Sequence, residues 1–245
     1  PRSVSSAASD VYKRQKEHSD PLMRTYLEDL IYRLSETSEV RDRRFEFIIL
    51  EDKTINAFAA PGGIIGINLG MFLNTQKEGE LASVMCHELA HLSQRHFARS
   101  QNRNSPLANA LMILGSIAVA AASRNPEAIL IAPAAMQQMS INYTRSNEKE
   151  ADRIGFNNLV KAGFNPDDMT MMFQRMQDKY QNEDSEQFSY LMTHPLPSER
   201  LTDMRIRADS LEKASKDNYR DNLDFYFMQK RAEVWAEKDA RKLVK

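Results

Sequence analysis

The sequence predicts an α+β fold that is mostly helical, with a small β-sheet beside one central helix and a further helical region at the C-terminal end. Three observations carry this. Apolar residues recur at helical intervals through most of the chain, strand-prone residues broken by glycine and proline are confined to one window near residues 45–72, and 245 residues suffice for a domain of about 200 residues plus an appendage. The expected division is a disordered or non-native leader over 1–15, a main domain over 16–215, and the start of a C-terminal helical region over 216–245.

The opening PRSVSSAASD is small and polar and lacks the apolar core of a secretory signal. Residues 21–35 place Leu22, Tyr26, Leu27, Leu30 and Leu34 at helical spacing behind Pro21, which suits a first turn. FEFIILED and INAFAAPGGIIGINLGMF then read as about three strands, divided by Pro61, Gly62 and Gly63. These glycines do not form a nucleotide fingerprint, because Ile64, Ile65, Ile67 and Leu69 predict continued strand where that motif needs a helix. From Glu78 to about Ser100, the positions Leu81, Val84, Met85, Leu89 and Leu92 predict a helix with Glu78 and Glu80 favourably near its start.

Residues 104–123 carry no charge but are diluted by Ala, Ser, Asn and Gly. They fit a buried or membrane-surface helical hairpin better than a membrane span, so peripheral membrane contact through residues 104–141 is an expectation. A second uncharged stretch containing Pro133 leads into SNEKEADRIGFNNLVKAG, a helix closed by Gly163. Met169, Met171, Met172 and Met176 fit helix core better than an adaptable binding surface. Two prolines precede a helix expected to be capped by Ser198, and residues 218–245 read as a separate charged helix.

Lys and Arg number 33 against 34 for Asp and Glu, which gives no field to gather polyanions and argues against nucleic acid as a partner. The single cysteine, Cys86, excludes an intramolecular disulfide. It points away from the neighbouring His87 on a helix and is expected to pack in the core.

His87-Glu88-Leu89-Ala90-His91 is an H-E-x-x-H motif. On a helix its histidines lie one turn apart on one face and can reach one metal ion, while Glu88, one position around, can approach a metal-bound water as a general base. A third ligand is available in Glu148-Lys149-Glu150-Ala151-Asp152, where Glu148 and Asp152 share a helix face. Taken alone, that segment also fits an ordinary solvated helix. His18 and His96 have no supporting pattern; His96 falls off the metal-facing line, and both are expected at the surface.

H-E-x-x-H followed by S-N-E-K-E-A-D, with N-A-F-A-x-P-G-G upstream and H-P-x-x-x-x-R downstream, resembles the zinc peptidase family that contains HtpX and the CAAX prenyl protease, and within it the periplasmic BepA branch. The resemblance covers about residues 20–215. It implies a zincin-like metallopeptidase domain with one Zn2+ per chain on His87, His91 and Glu148, supported by Asp152, with Glu150 a bystander. It implies that Asn56, Ala57, Phe58 and Ala59 lie on a strand along which a substrate peptide aligns. His194 is implied as a latch in the open metal position. Arg200 is implied near the site, where it either stabilises an oxyanion or pairs with an acidic neighbour. The resemblance further implies unfolded or misassembled protein substrates, a link to the outer-membrane protein assembly machinery, a periplasmic location, and a TPR-like helical region after the protease. A chaperone or adaptor with a mainly structural zinc is the competing expectation.

Overall fold

The computed structural model describes residues 17–103, 128–182, 189–211 and 222–237. The expected leader and the uncharged stretch 104–123 lie outside them. Helix α1 (Pro21–Glu36) starts where the Asp20 carboxylate accepts the backbone N–H groups of Leu22 and Met23 at 3.0 and 3.2 Å. It buries Met23, Tyr26, Leu27, Leu30, Ile31 and Leu34. Leu22, expected in that stripe, is exposed, because it lies about 110° around the helix from the stripe's centre.

Strands β1 (Glu46–Leu50), β2 (Ala57–Ala60) and β3 (Ile64–Asn68) form one sheet in the order β1-β3-β2. β1 runs parallel to β3 and β2 antiparallel to it. The β2–β3 turn needs its glycines: Gly62 and Gly63 have φ of 97° and 82°, and a Cβ on Gly63 would stand 2.2 Å from the Arg44 carbonyl oxygen. The strand ends at Asn68, so Leu69, expected to continue it, instead opens the short helix α2 (Leu69–Asn74).

Helix α3 (Glu78–Ser93) lies at the centre, with every residue from Glu78 to Ala90 buried. Glu78 is not a solvated helix-start acid: its carboxylate accepts from Tyr26 Oη at 2.8 Å, Arg33 Nη2 at 3.1 Å and Asn222 Nδ2 at 2.6 Å. The expected continuation of this helix to Ser100 fails at Arg95, whose φ of 53° is left-handed. The chain turns there and restarts as α4 (His96–Arg103).

Helix α5 (Ala128–Lys161) runs without a break through Pro133. It closes as expected at Gly163, φ 83°, where Phe164 N–H donates to Leu159 O and Gly163 N–H to Val160 O. Among the described residues no helix is long and apolar enough to cross a membrane. Helix α6 (Asp167–Asn182) puts Met169, Met172, Phe173 and Met176 in the core and leaves Met171 outside. The short α7 (Ser189–Thr193) precedes α8 (Ser198–Asp209), which Pro197 opens without a side-chain cap, so Ser198 is its first residue rather than its cap. Helix α9 (Leu223–Ala236) is not isolated: Phe225, Met228 and Ala232 join the same core, against α1 and α2.

Helices α3 and α5 cross closely. A Cβ on Gly155 would stand 3.0 Å from both the Cα and the N of His87. Gly155→Ala should therefore destabilise the fold by about 1–3 kcal/mol, although alanine is the better helix former by about 1 kcal/mol. Urea unfolding of the two proteins measures the difference, and a variant as stable as the parent would mean that the crossing yields freely.

Candidate metal centre

The α3–α5 crossing brings the sequence-predicted ligands together. His87 Nε2 and His91 Nε2 are 2.9 Å apart on α3, and from α5 Glu148 places Oε2 3.3 Å from the first and Oε1 3.2 Å from the second. His194, just past α7, completes the group with Nδ1 3.1 Å from Glu148 Oε1. One ligand atom from each of these four residues lies within 4.8 Å of the others.

This donor set fits a metal ion. A tetrahedral ion bonded at roughly 2.0–2.1 Å holds its ligand atoms about 3.3–3.4 Å apart, close to the separations among His87, His91 and Glu148. Two imidazole nitrogens facing each other across 2.9 Å cannot both carry protons, so at least one of them presents a lone pair there.

Glu88 lies one position round α3 from His87, and its Oε2 accepts the backbone N–H of Ala59 at 3.2 Å. Its Oε1 is buried without a hydrogen-bond partner among the described residues, with His194 Nε2 3.6 Å away. Ala59 is on β2, an edge strand of the sheet. Asn56 and Phe58 face their main chain toward β3, which leaves the polar groups of Ala57 and Ala59 on the free edge. That edge walls a cleft of about 1570 Å³ that Glu88, His91, Leu92, Phe97 and His194 also line.

Behind the histidines, Asp152 Oδ1 lies 3.0 Å from His87 Nδ1, a position from which a carboxylate can orient the ring. Arg200 holds Asp152 with two bonds, Nε to Oδ2 at 2.6 Å and Nη2 to Oδ1 at 2.7 Å. Its Nη1 donates to the Pro195 carbonyl at 2.6 Å and lies 2.9 Å from Glu148 Oε2. The geometry at Arg200 is thus that of a buried cation paired with acids.

Burial sets the electrostatics. It pulls the His87 imidazole down, but hydrogen bonds to Asp152 and Glu148 outweigh it and lift the group to about 9. For His91 burial prevails and the value falls to about 4. Glu148 is held well below the usual carboxylate range: burial opposes this, and the His194, His87 and His91 imidazoles around it overcome it. Asp152 is lowered in the same way, against burial, by Arg200 and His87.

Three residues of the site had no signal that pointed to it. His96, expected at the surface, is buried, with Nδ1 2.9 Å from His91 Nδ1. Glu150, expected as a bystander, lies 3.0 Å from His96 Nε2 through Oε2 and accepts from Arg99 Nη1 at 3.0 Å. Tyr190 stacks on the His194 ring at 4.6 Å and donates its backbone N–H to Ile55 O. Cys86, as expected, is buried, and burial pushes its thiol far up.

An H-E-x-x-H helix crossed by a second helix that supplies a carboxylate, beside a sheet edge and an open cleft, is the architecture of a metallopeptidase domain. The chain belongs to peptidase family M48, which it matches over residues 21–208. It is 44% identical over 209 residues to a Vibrio cholerae protein that carries the name beta-barrel assembly-enhancing protease, covering 81% of this chain and 43% of that one. It is 38% identical over 216 residues to the Escherichia coli K12 beta-barrel assembly-enhancing protease, covering 82% and 43%. It is 27% identical over 201 residues to the mitochondrial metalloendopeptidase OMA1 of Schizosaccharomyces pombe, covering 79% and 58%. The chain therefore spans less than half the length of the first two.

Folded carboxyls below their unfolded values stabilise the protein fully above the ordinary carboxylate range, and that contribution is lost as pH falls through the folded values. Arg200→Leu would leave Asp152 and Glu148 buried without their cation and should cost roughly 3–5 kcal/mol near pH 7. The gap from the parent should narrow on acidification, as protonation relieves the unpaired carboxylates. Denaturant unfolding at several pH values measures both, and a gap that widens toward acid would contradict the pairing.

Proposed function

We propose that this chain is the catalytic unit of a zinc metalloendopeptidase that cleaves unfolded or misassembled proteins. The observation that carries the reading is Glu88, set beside the four-donor cluster at a cleft walled by a free strand edge. Residues 16–215 carry the chemistry, and α9 from the 216–245 region packs on them through Phe225, Met228 and Ala232.

His87, His91 and Glu148 would hold the ion, one per chain; when bound, zinc supplies Lewis acidity toward a water and a peptide carbonyl. The protein does the rest. Glu88 Oε1, free of hydrogen bonds among the described residues, takes the proton of the attacking water and returns it to the leaving amine. The outward main-chain groups of Ala57 and Ala59 pair with an extended substrate, a contact that reads backbone more than side chains and suits unfolded chains. A substrate carbonyl that accepts from Ala59 N–H takes the place of Glu88 Oε2, so strand pairing also releases the base. Arg200 acts as a positioning residue through Asp152 and Glu148 rather than as the oxyanion donor.

His194 serves as a latch: its place beside Glu148 and Glu88 puts an imidazole where a substrate carbonyl and water must enter. The names of the bacterial relatives support a role in outer-membrane protein assembly, and with it a periplasmic location. A chaperone or adaptor that binds client proteins, with a latched or mainly structural zinc site, is the second reading; the His194 contacts favour it, since a latched site does not cut.

Zinc content and casein cleavage separate these readings. The parent and Glu88→Gln should each hold one zinc, with cleavage only in the parent. Zinc in both and cleavage by neither would leave a latched enzyme or the adaptor, and no cleavage by His194→Ala either would favour the adaptor. His194→Ala should cleave faster than the parent; equal or slower cleavage would remove the latch.

A further inference from the structure

We propose that His96 is a positioning residue for the metal centre: with Glu150 it fixes the His91 ring in the tautomer whose Nε2 is free to bind the ion. The inference rests on the metal reading above and extends it to two residues outside the ligand set.

The two histidines of the H-E-x-x-H helix are held differently. His87 Nδ1 meets a carboxylate directly, Asp152 Oδ1 at 3.0 Å. His91 Nδ1 meets another imidazole, His96 Nδ1 at 2.9 Å, and the far nitrogen of that ring meets Glu150 Oε2 at 3.0 Å. An ionised carboxylate only accepts, so the His96 proton belongs on Nε2. In the neutral ring Nδ1 is then an acceptor, and the 2.9 Å contact requires His91 to donate from its own Nδ1. Glu148 Oε1, 3.2 Å from His91 Nε2, competes for the same proton, and the shorter 2.9 Å contact with His96 draws it to Nδ1, so the Nε2 that faces His87 and Glu148 keeps its lone pair. One chain of hydrogen bonds thus settles the proton on the ligand ring, as a carboxylate partner does in metal sites generally.

The device is built by the backbone. The left-handed Arg95 ends α3 and turns α4 back so that the side chain five positions after His91 meets its ring, with centroids 4.8 Å apart. Glu150 lies on the same segment as Glu148 and Asp152, and Arg99 from α4 holds it at 3.0 Å. His96 is buried, so water does not compete for its Nδ1.

The test uses the full chain, with zinc affinity from chelator competition and with the His91 tautomer of the metal-free protein from long-range ¹H–¹⁵N spectra. His96→Leu removes the acceptor and should weaken zinc binding by about 10–100-fold. His96→Asn, whose Oδ1 can stand where Nδ1 stood, should recover most of it, and Glu150→Ala should fall between. In the metal-free parent His91 should carry its proton on Nδ1, and in His96→Leu that preference should be lost. Unchanged zinc affinity in His96→Leu, with or without a lower melting temperature, would overturn the proposal. Equal losses in the Leu and Asn variants, or an Nε2–H tautomer in the parent, would do the same. A parent that binds no zinc would defeat the metal reading instead, and the tautomer measurement would then decide the hydrogen-bond chain by itself.

Discussion

The near-contact of α3 and α5 at Gly155 is the constraint on which the rest of the site depends. Glu148, Asp152 and Gly155 occupy positions i, i+4 and i+7 of α5 and form one stripe against α3. The glycine end lets the backbones come close at His87, and the carboxylate end sets Glu148 3.3 Å from His87 and 3.2 Å from His91. His87 and His91 lie one turn apart on the opposing helix, so a single crossing sets the spacing of all three ligands. Each helix alone would present only a polar stripe.

Such a crossing puts several ionisable groups where water does not reach. Glu88, Glu148, Asp152 and Arg200 are all buried, which makes three carboxyl groups against one guanidinium. Buried charge is tolerated only when paired and hydrogen-bonded, and Arg200 answers this at Asp152 and Glu148 with a contact from each of its three nitrogens. The acid left in excess suits a metal cation at the cluster. The same logic places Arg200 behind the ligands, where it offsets their charge, rather than in the cleft.

The sequence made legible what lies within one helix turn. His87, Glu88 and His91 needed only the spacing rule, and the sheet and most helices followed from alternation, periodicity and glycine. Glu148 and Asp152 were legible as a shared face but not as partners of α3, because a helix crossing leaves no trace in spacing; the family resemblance supplied it. His96 was misplaced for a specific reason. A helical wheel drawn to Ser100 assumes an unbroken helix, and the break falls on an arginine, a residue type that gives no warning of a left-handed conformation. Leu69 and Leu22 failed on the same kind of local detail, at an element boundary and at the rim of a stripe.

The segment from Glu148 to Asp152 shows how far one turn of helix can be used once its surroundings are folded. Residues 148 and 152 face α3, and residue 150 points well round the helix from them, toward the side that α4 covers. A carboxylate on that side is useful to the centre only if another group spans the gap to His91, and His96 is such a spacer. The fully buried His87 is held by a direct carboxylate, and the partly exposed His91, which borders the cleft, is held through an imidazole. The two carboxylates behind the histidine pair therefore do the same work by different reach, and the turn at Arg95 decides which histidine receives which.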